Sequence, residues 1–364
     1  MEFFKKYSGP FTFVGAVLGA VAVCLTCFIA PEWYFIAGII IFSVITLLSI
    51  YFYGYSRGKK ESVGIETVKN KRFVDSLCQY FDECKEEKEY EEIIRFGSAI
   101  ARPLWLSQRY EDRLKIGKYI YEAAKLTTPE NHEKKVKAKI DYMGWTAVEL
   151  NLSTAKDEIE KGIRLAETTT DNEFIEKHKI YYIAKGNRHL FGFYFRQNQI
   201  ENAQKYLDIA INKTQELSDS FRKKEAEAEI SYSESLLLAE TEKYDEALNK
   251  IEDAKGKYEK LNVKEWLLKI ANQKAEILIK KGDKNSLNEA EEIINDTLKK
   301  ARLQKFRKQI VRGLIAEGNY YYKKHRHKDA IKSFDASLVE AKSIGMKYEI
   351  GIIEQKLDNI SGLS

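Results

Sequence analysis

The sequence predicts an all-α chain: an N-terminal transmembrane helical hairpin followed by a solenoid of antiparallel helix pairs. Three observations carry this. Between Lys6 and Arg57 the only charge is Glu32, within fifty otherwise apolar or small residues. Beyond Arg57 the chain becomes charged and aromatic-rich, and only four prolines occur in all 364 residues. Within that second part a helix-pair pattern of about forty residues recurs, and such a period marks a repeat architecture.

The hairpin comes first, over residues 1–60. Phe11 to Ala30 is an uncharged run of twenty residues, or about 30 Å of helix, the thickness of a bilayer's hydrocarbon core. Pro31, Glu32 and Trp33 interrupt it. A second span, about 34–55, follows directly, so the two must run antiparallel. A cleaved signal peptide competes with this reading, but the first run is longer than a usual signal core and another span follows it. Lys5 and Lys6 before the first span, and Arg57, Lys59 and Lys60 after the second, put both termini in the cytoplasm of a two-span plasma-membrane protein. Gly15, Gly19, Ala22 and Thr26 form a small-residue seam along the first span. Small residues let helices approach closely in lipid. The seam packs either on the second span, near Gly38, Ser43 and Thr46, or on other copies as a homo-oligomer.

Residues 61–88 read as a juxtamembrane or capping helix, with Phe73, Leu77, Tyr80 and Phe81 on one side. The solenoid, residues 89–345, holds about six repeats. In the clearest copy Gly318 and Tyr321 precede Ala330 and Phe334; others place Leu238 before Ala247, Ile251 and Ala254, and Tyr194 before Ala203, Leu207 and Ala210. A small residue early in the second helix permits close helix crossing, and larger apolar residues one and two turns later fill the groove to the next unit. Weaker copies carry Ala155, Ile159 and Gly162, or Ala290 and Ile294. In the most degenerate copy Arg113 and Gly117 occupy these places. The marker positions 113, 155, 203, 247, 290 and 330 are spaced by 42, 48, 44, 43 and 40 residues. Residues 346–364 read as a C-terminal capping helix, which open solenoids need.

These units resemble tetratricopeptide (TPR) repeats, with a period longer than that family's usual 34. They look like the long-helix arrays of bacterial peptide-responsive regulators and signalling ATPases. The phosphate-cradling domain of those ATPases has no counterpart here, since no GxxxxGK[ST] motif occurs.

No catalytic, cofactor-binding or metal-binding motif is present, so the chain is expected to be neither an enzyme nor a cofactor protein. Cys24 and Cys27 lie in the first span, and Cys78 and Cys84 lie six residues apart on one helix. That is neither a zinc nor a redox pattern, and reduced thiols packed as small apolar groups are expected. His325 and His327 fall in a basic inter-helix turn without nearby metal-ligating partners.

The resemblance implies that the inner face of the superhelix is lined by the first helix of each repeat, at five recurring positions. Mapping them yields Arg95, Arg102, Lys137, Lys185, Arg188, Arg196, Lys269, Lys280, Arg312 and Lys323, against Glu229, Glu240 and Glu276, with Asn272 and Asn319 alongside. Ten basic residues against three acidic predict a concave groove that attracts an acidic protein or peptide partner. The family's carboxylate-clamp subset uses paired Lys and Asn residues here, which Lys269 with Asn272 and Asn319 with Lys323 match in part. Nucleic acid is not expected, because the net charge is only +5. The resulting expectation is a membrane-anchored cytoplasmic TPR scaffold recruiting protein partners, with the lipid bilayer as its other contact. The alternative is a membrane effector of the bacterial abortive-infection type, in which the repeats sense a signal and the hairpins oligomerise to disrupt the membrane.

Overall fold

A computed structural model describes residues 71–362 apart from residue 219, all within one compact unit. Every regular element among the described residues is helical. The chain opens with α1 (Lys71–Glu86), followed by the pair α2 (Tyr90–Leu106) and α3 (Tyr110–Leu126). The first helix of the second pair is composite: α4 (His132–Lys137), a π-helical segment Ala138–Trp145 and α5 (Thr146–Glu149). It packs on α6 (Ala155–Thr168). After the short α7 (Asn172–Lys177) come four regular pairs. They are α8 (Lys179–Arg196) with α9 (Ile200–Gln215), α10 (Phe221–Glu240) with α11 (Tyr244–Leu261), α12 (Lys264–Lys281) with α13 (Lys284–Leu303), and α14 (Arg307–Lys323) with α15 (His327–Ile344). The last helix, α16 (Lys347–Ser361), packs on α15.

Six helix pairs thus follow one another in the predicted register. Ala155, Ala203, Ala247, Ala290 and Ala330 are all fully buried. Each turn inside a pair is closed by one left-handed residue: Gln108, Asn151, Asn198, Glu242, Gly282 or His325. Such a residue ends a helix sharply by letting the next N–H groups return to its last carbonyls. Elsewhere side chains start the helix: Asn131, Asp171 and Asp283 accept hydrogen bonds from backbone N–H groups of the first turn.

The degenerate first repeat has its own solution. Arg113 stands where the other repeats carry alanine, and it is 7% exposed. Its Nε donates to the Ala101 carbonyl at 3.1 Å and Nη1 donates to the Asp141 carbonyl at 2.7 Å and to Thr146. The guanidinium therefore joins the first repeat to the π-helical segment of the second. A π-turn widens the helix and misaligns its carbonyls, and the arginine fork answers one of them.

Among the described residues no helix is long and apolar enough to cross a membrane. This corrects the assignment to the plasma membrane as a two-span protein. The predicted spans 11–30 and 34–55, and the seam of Gly15, Gly19, Ala22 and Thr26, lie outside the described residues. The effector alternative rested on that segment and finds no support in the helical-repeat unit.

Candidate functional site

The first helices of the pairs surround a cavity of about 820 Å³, the size of a ligand or short-peptide site. The solenoid curves enough for residues far apart in sequence to meet across it. Lys308 on α14 donates to Glu149 on α5 at 2.7 Å, across 159 residues. The Arg196 guanidinium on α8 lies 4.7 Å from the ring centroid of Tyr348 on α16.

Eight of the twelve residues assigned to the groove from sequence line this cavity: Arg102, Lys137, Lys185, Arg188, Arg196, Lys269, Asn272 and Arg312. Arg95, Lys280, Asn319 and Lys323 do not. Arg95 pairs with Glu92 one turn away, and Lys280 bonds Glu240 at 2.6 Å on exposed surface. Asn319 donates at 2.9 Å to Glu276, itself a lining residue. Lys323, in the last turn of α14, is exposed.

The electrostatics differ from the expected basic groove. Arg113 and Lys308 join the lining, but so do Asp141, Glu149, Glu225, Glu265 and Glu349 beside the anticipated Glu229 and Glu276. Nine cations therefore face seven carboxylates, and most are already engaged. Lys185 pairs with Asp141 at 3.0 Å, Arg188 with Glu229 at 2.6 Å and Arg312 with Glu349 at 3.4 Å, while Arg196 reaches Glu149 at 3.0 Å. Burial would raise the Asp141 carboxyl, yet Lys185, His189 and Lys137 hold it down to about 2. Glu149 is likewise resisted by burial but held far below the usual carboxylate range by Arg196, Lys308 and Arg312. Where no cation is that close, burial dominates, and the carboxyls of Glu265 and Glu276 are pushed up.

Four of the missed residues follow a rule: Tyr181, Glu225, Glu265 and Lys308 each stand four residues before a mapped position, namely Lys185, Glu229, Lys269 and Arg312. One further turn of the first helix in the last four pairs belonged to the inner face, and the i−4 spacing was visible in the sequence. Arg113, Asp141, Glu149 and Glu349 fall outside that spacing.

Aromatic side chains form much of the rest of the wall, including Trp105, Trp145 and Trp266. The Trp145 ring packs tilted at 30° against the buried His189 ring, with centroids 4.7 Å apart, and the His189 ring also contacts the Ile140 carbonyl at 3.3 Å. Burial, with Arg188 adding to it, depresses the His189 imidazolium well below its ordinary range although Asp141 opposes this. Three polar side-chain atoms in the lining are buried without a hydrogen-bond partner in the protein: Ser98 Oγ, Asn272 Oδ1 and Glu349 Oε2. Asn272 instead spends its Nδ2 donor on the Gln309 carbonyl at 3.1 Å.

Elsewhere, Cys78 and Cys84 are free and buried, and burial raises both thiols. His325 sits in its left-handed turn on the surface. Among the described residues no cluster of three or more His, Cys, Asp or Glu side chains could hold a metal ion.

No family model matches the chain, and no curated protein matches it. Among solved structures it is similar to the apo form of RapI, with a TM-score of 0.51 and 11% identity, covering 81% of this chain and 98% of that one. A structure titled as a computational design of self-assembling cyclic homooligomers is 18% identical over 88% of this chain and 97% of its own, but its TM-score of 0.12 carries no weight. The likeness to RapI is one of fold: a solenoid of helical repeats.

Proposed function

We propose that this chain is a non-enzymatic protein-interaction scaffold whose cavity receives an extended segment of a protein partner. The observation that carries the reading is the cavity itself. It is built by first helices of successive repeats, walled by three tryptophans and edged by fixed charges. Prepaired charges orient a ligand without drawing any polyanion indiscriminately, because each is already answered by a neighbour. Asn272 Oδ1 and Glu349 Oε2 are acceptors that backbone N–H groups of an extended chain would satisfy. The aromatic walls supply apolar area for its side chains at low entropic cost. The partner need not be broadly acidic, since the cavity's cations are largely matched.

The test is to select binders from a random displayed peptide library on the full chain. Each binder is then measured on Gln273→Trp, which puts an indole into the lining, and on Gln273→Ala. Peptides of the proposed kind lose at least about tenfold in affinity on the tryptophan variant, a change of about 1.4 kcal/mol, and keep it on the alanine variant. Selected peptides that bind both variants like the wild type contradict a cavity site.

A further inference from the structure

The second repeat turns a different face to the cavity from its neighbours. Recurring inner positions of the third, fourth and fifth repeats are Arg188 and Gly192, Tyr232 and Leu236, and Asn272 and Glu276, and all of them line the cavity. At the same spacing the second repeat offers Lys137, Ile140, Gly144 and Val148. Lys137 does line the cavity, but Ile140 and Val148 are buried in the core. Gly144 faces α6, where a Cβ would stand 2.5 Å from the Ile159 side chain. The lining comes instead from Asp141, Trp145 and Glu149, each one residue further on.

That one-residue offset arises inside the π-helical segment Ala138–Trp145. A π-turn closes i→i+5 hydrogen bonds and so takes in one more residue than an α-turn. Every residue beyond it is carried round the helix by one position, or about 100°. Two carboxylates and an indole thereby replace two aliphatic side chains and a glycine on the inner face.

Two residues of α3 answer this segment. Arg113 stands where Ala155, Ala203, Ala247, Ala290 and Ala330 stand in the other repeats. Its Nη1 donates at 2.7 Å to the Asp141 carbonyl, inside the segment, and to Thr146, just beyond it. These acceptors and the Ala101 carbonyl are uncharged, so no ion pair with them offsets the cost of burying the guanidinium. Gly117 lies one turn further along α3, where a Cβ would stand 2.8 Å from the Tyr142 Cβ. Its missing side chain leaves room for the widened helix.

We propose that Arg113 is a positioning residue for the cavity: it holds the second repeat in the π register and so brings Asp141, Trp145 and Glu149 to the lining. Without it the segment returns to the α register of the other repeats. Ile140, Gly144 and Val148 then turn inward, and Glu149 turns away from Lys308 and Arg196. The proposal concerns how the wall is built and stands independently of what the cavity binds.

The experiment follows the register in the full chain with two readouts. A double-mutant cycle of Lys308→Met and Glu149→Gln measures coupling across the cavity, and iodoacetamide labelling of Val148→Cys, located by peptide mapping, reports which residue faces inward. With Arg113 present, coupling is expected and Val148→Cys resists labelling. With Arg113→Ala the coupling disappears and Val148→Cys reacts. A loss of stability alone cancels in the cycle and leaves both readouts unchanged. Deleting Met143, within the π segment, removes the extra residue and sets Asp141, Trp145 and Glu149 inward by α-helical spacing alone. Both readouts should then match wild type whether position 113 holds arginine or alanine. Should circular dichroism show that Arg113→Ala does not fold, the deletion should restore folding. Either readout unchanged on a folded Arg113→Ala chain would overturn the proposal. So would a loss of coupling, protection or folding that the deletion does not reverse.

Discussion

Lys308 and Glu149 form a 2.7 Å ion pair across 159 residues, with side chains 9% and 2% exposed. The pair ties the last repeat to the second across the cavity. Breaking a buried pair leaves an uncompensated charge, which costs about 3–5 kcal/mol. Glu149→Gln is expected to cost more than Lys308→Met, because Glu149 also holds Arg196. Denaturant unfolding of the two variants and their double mutant checks this. Equal losses would contradict the second role of Glu149, and no coupling in the cycle would mean that the bridge does not brace the solenoid.

Gly318 tests the helix crossing of the last repeat. A Cβ there would stand 2.5 Å from the Phe334 ring, and Phe334 is 1% exposed. Gly318→Val is expected to destabilise by about 1–3 kcal/mol through overpacking. Phe334→Leu in the same chain should recover part of the loss. An unchanged melting temperature for Gly318→Val would show that the two helices do not approach this closely.

His189 predicts an acid-sensitive step. Its folded value lies below the unfolded value of about 6.5. The unfolded state therefore binds the proton more readily as the pH falls past that value. Stability due to the neutral ring is fully present above about 6.5 and is lost progressively below it. Denaturation midpoints measured from pH 7.5 to 5 should fall for wild type and vary less for His189→Gln. Parallel profiles would place the transition on other groups.

Cys78 and Cys84 are 3% and 1% exposed, and reaction with a thiol reagent needs an accessible thiolate. Both should resist iodoacetamide in the native chain and react as denaturant unfolds it, with peptide mapping separating them from Cys24 and Cys27. Prompt labelling without denaturant would contradict the packing of α1 against the first repeat.

Much of the fold was legible in the sequence, and the residues show why. Alanines at 155, 203, 247, 290 and 330 leave a small-residue signal that only close helix crossing explains, and all five are fully buried. Arg113 hid the first repeat's crossing because its reason for burial, the Asp141 carbonyl, belongs to a π-helical segment. Apolar spacing does not reveal such a segment. The inner face was legible as a face but not as a charge pattern. Five positions per repeat end one turn short of Glu225, Glu265 and Lys308. Pairing across the cavity, as between Lys308 and Glu149, depends on superhelical curvature, which no local period encodes.

The central claim is that an extended segment lies within the ring of first helices. Photo-crosslinking measures this most directly: a library-selected peptide carrying one photoreactive residue is bound to the full chain, irradiated and mapped by mass spectrometry. If the cavity is the site, crosslinks fall on lining residues of α8, α10 and α12 such as Phe195, Leu236 and Gln273, and Gln273→Trp suppresses them. Crosslinks concentrated on the outward surfaces of α9, α11 and α13, and indifferent to Gln273→Trp, would contradict it.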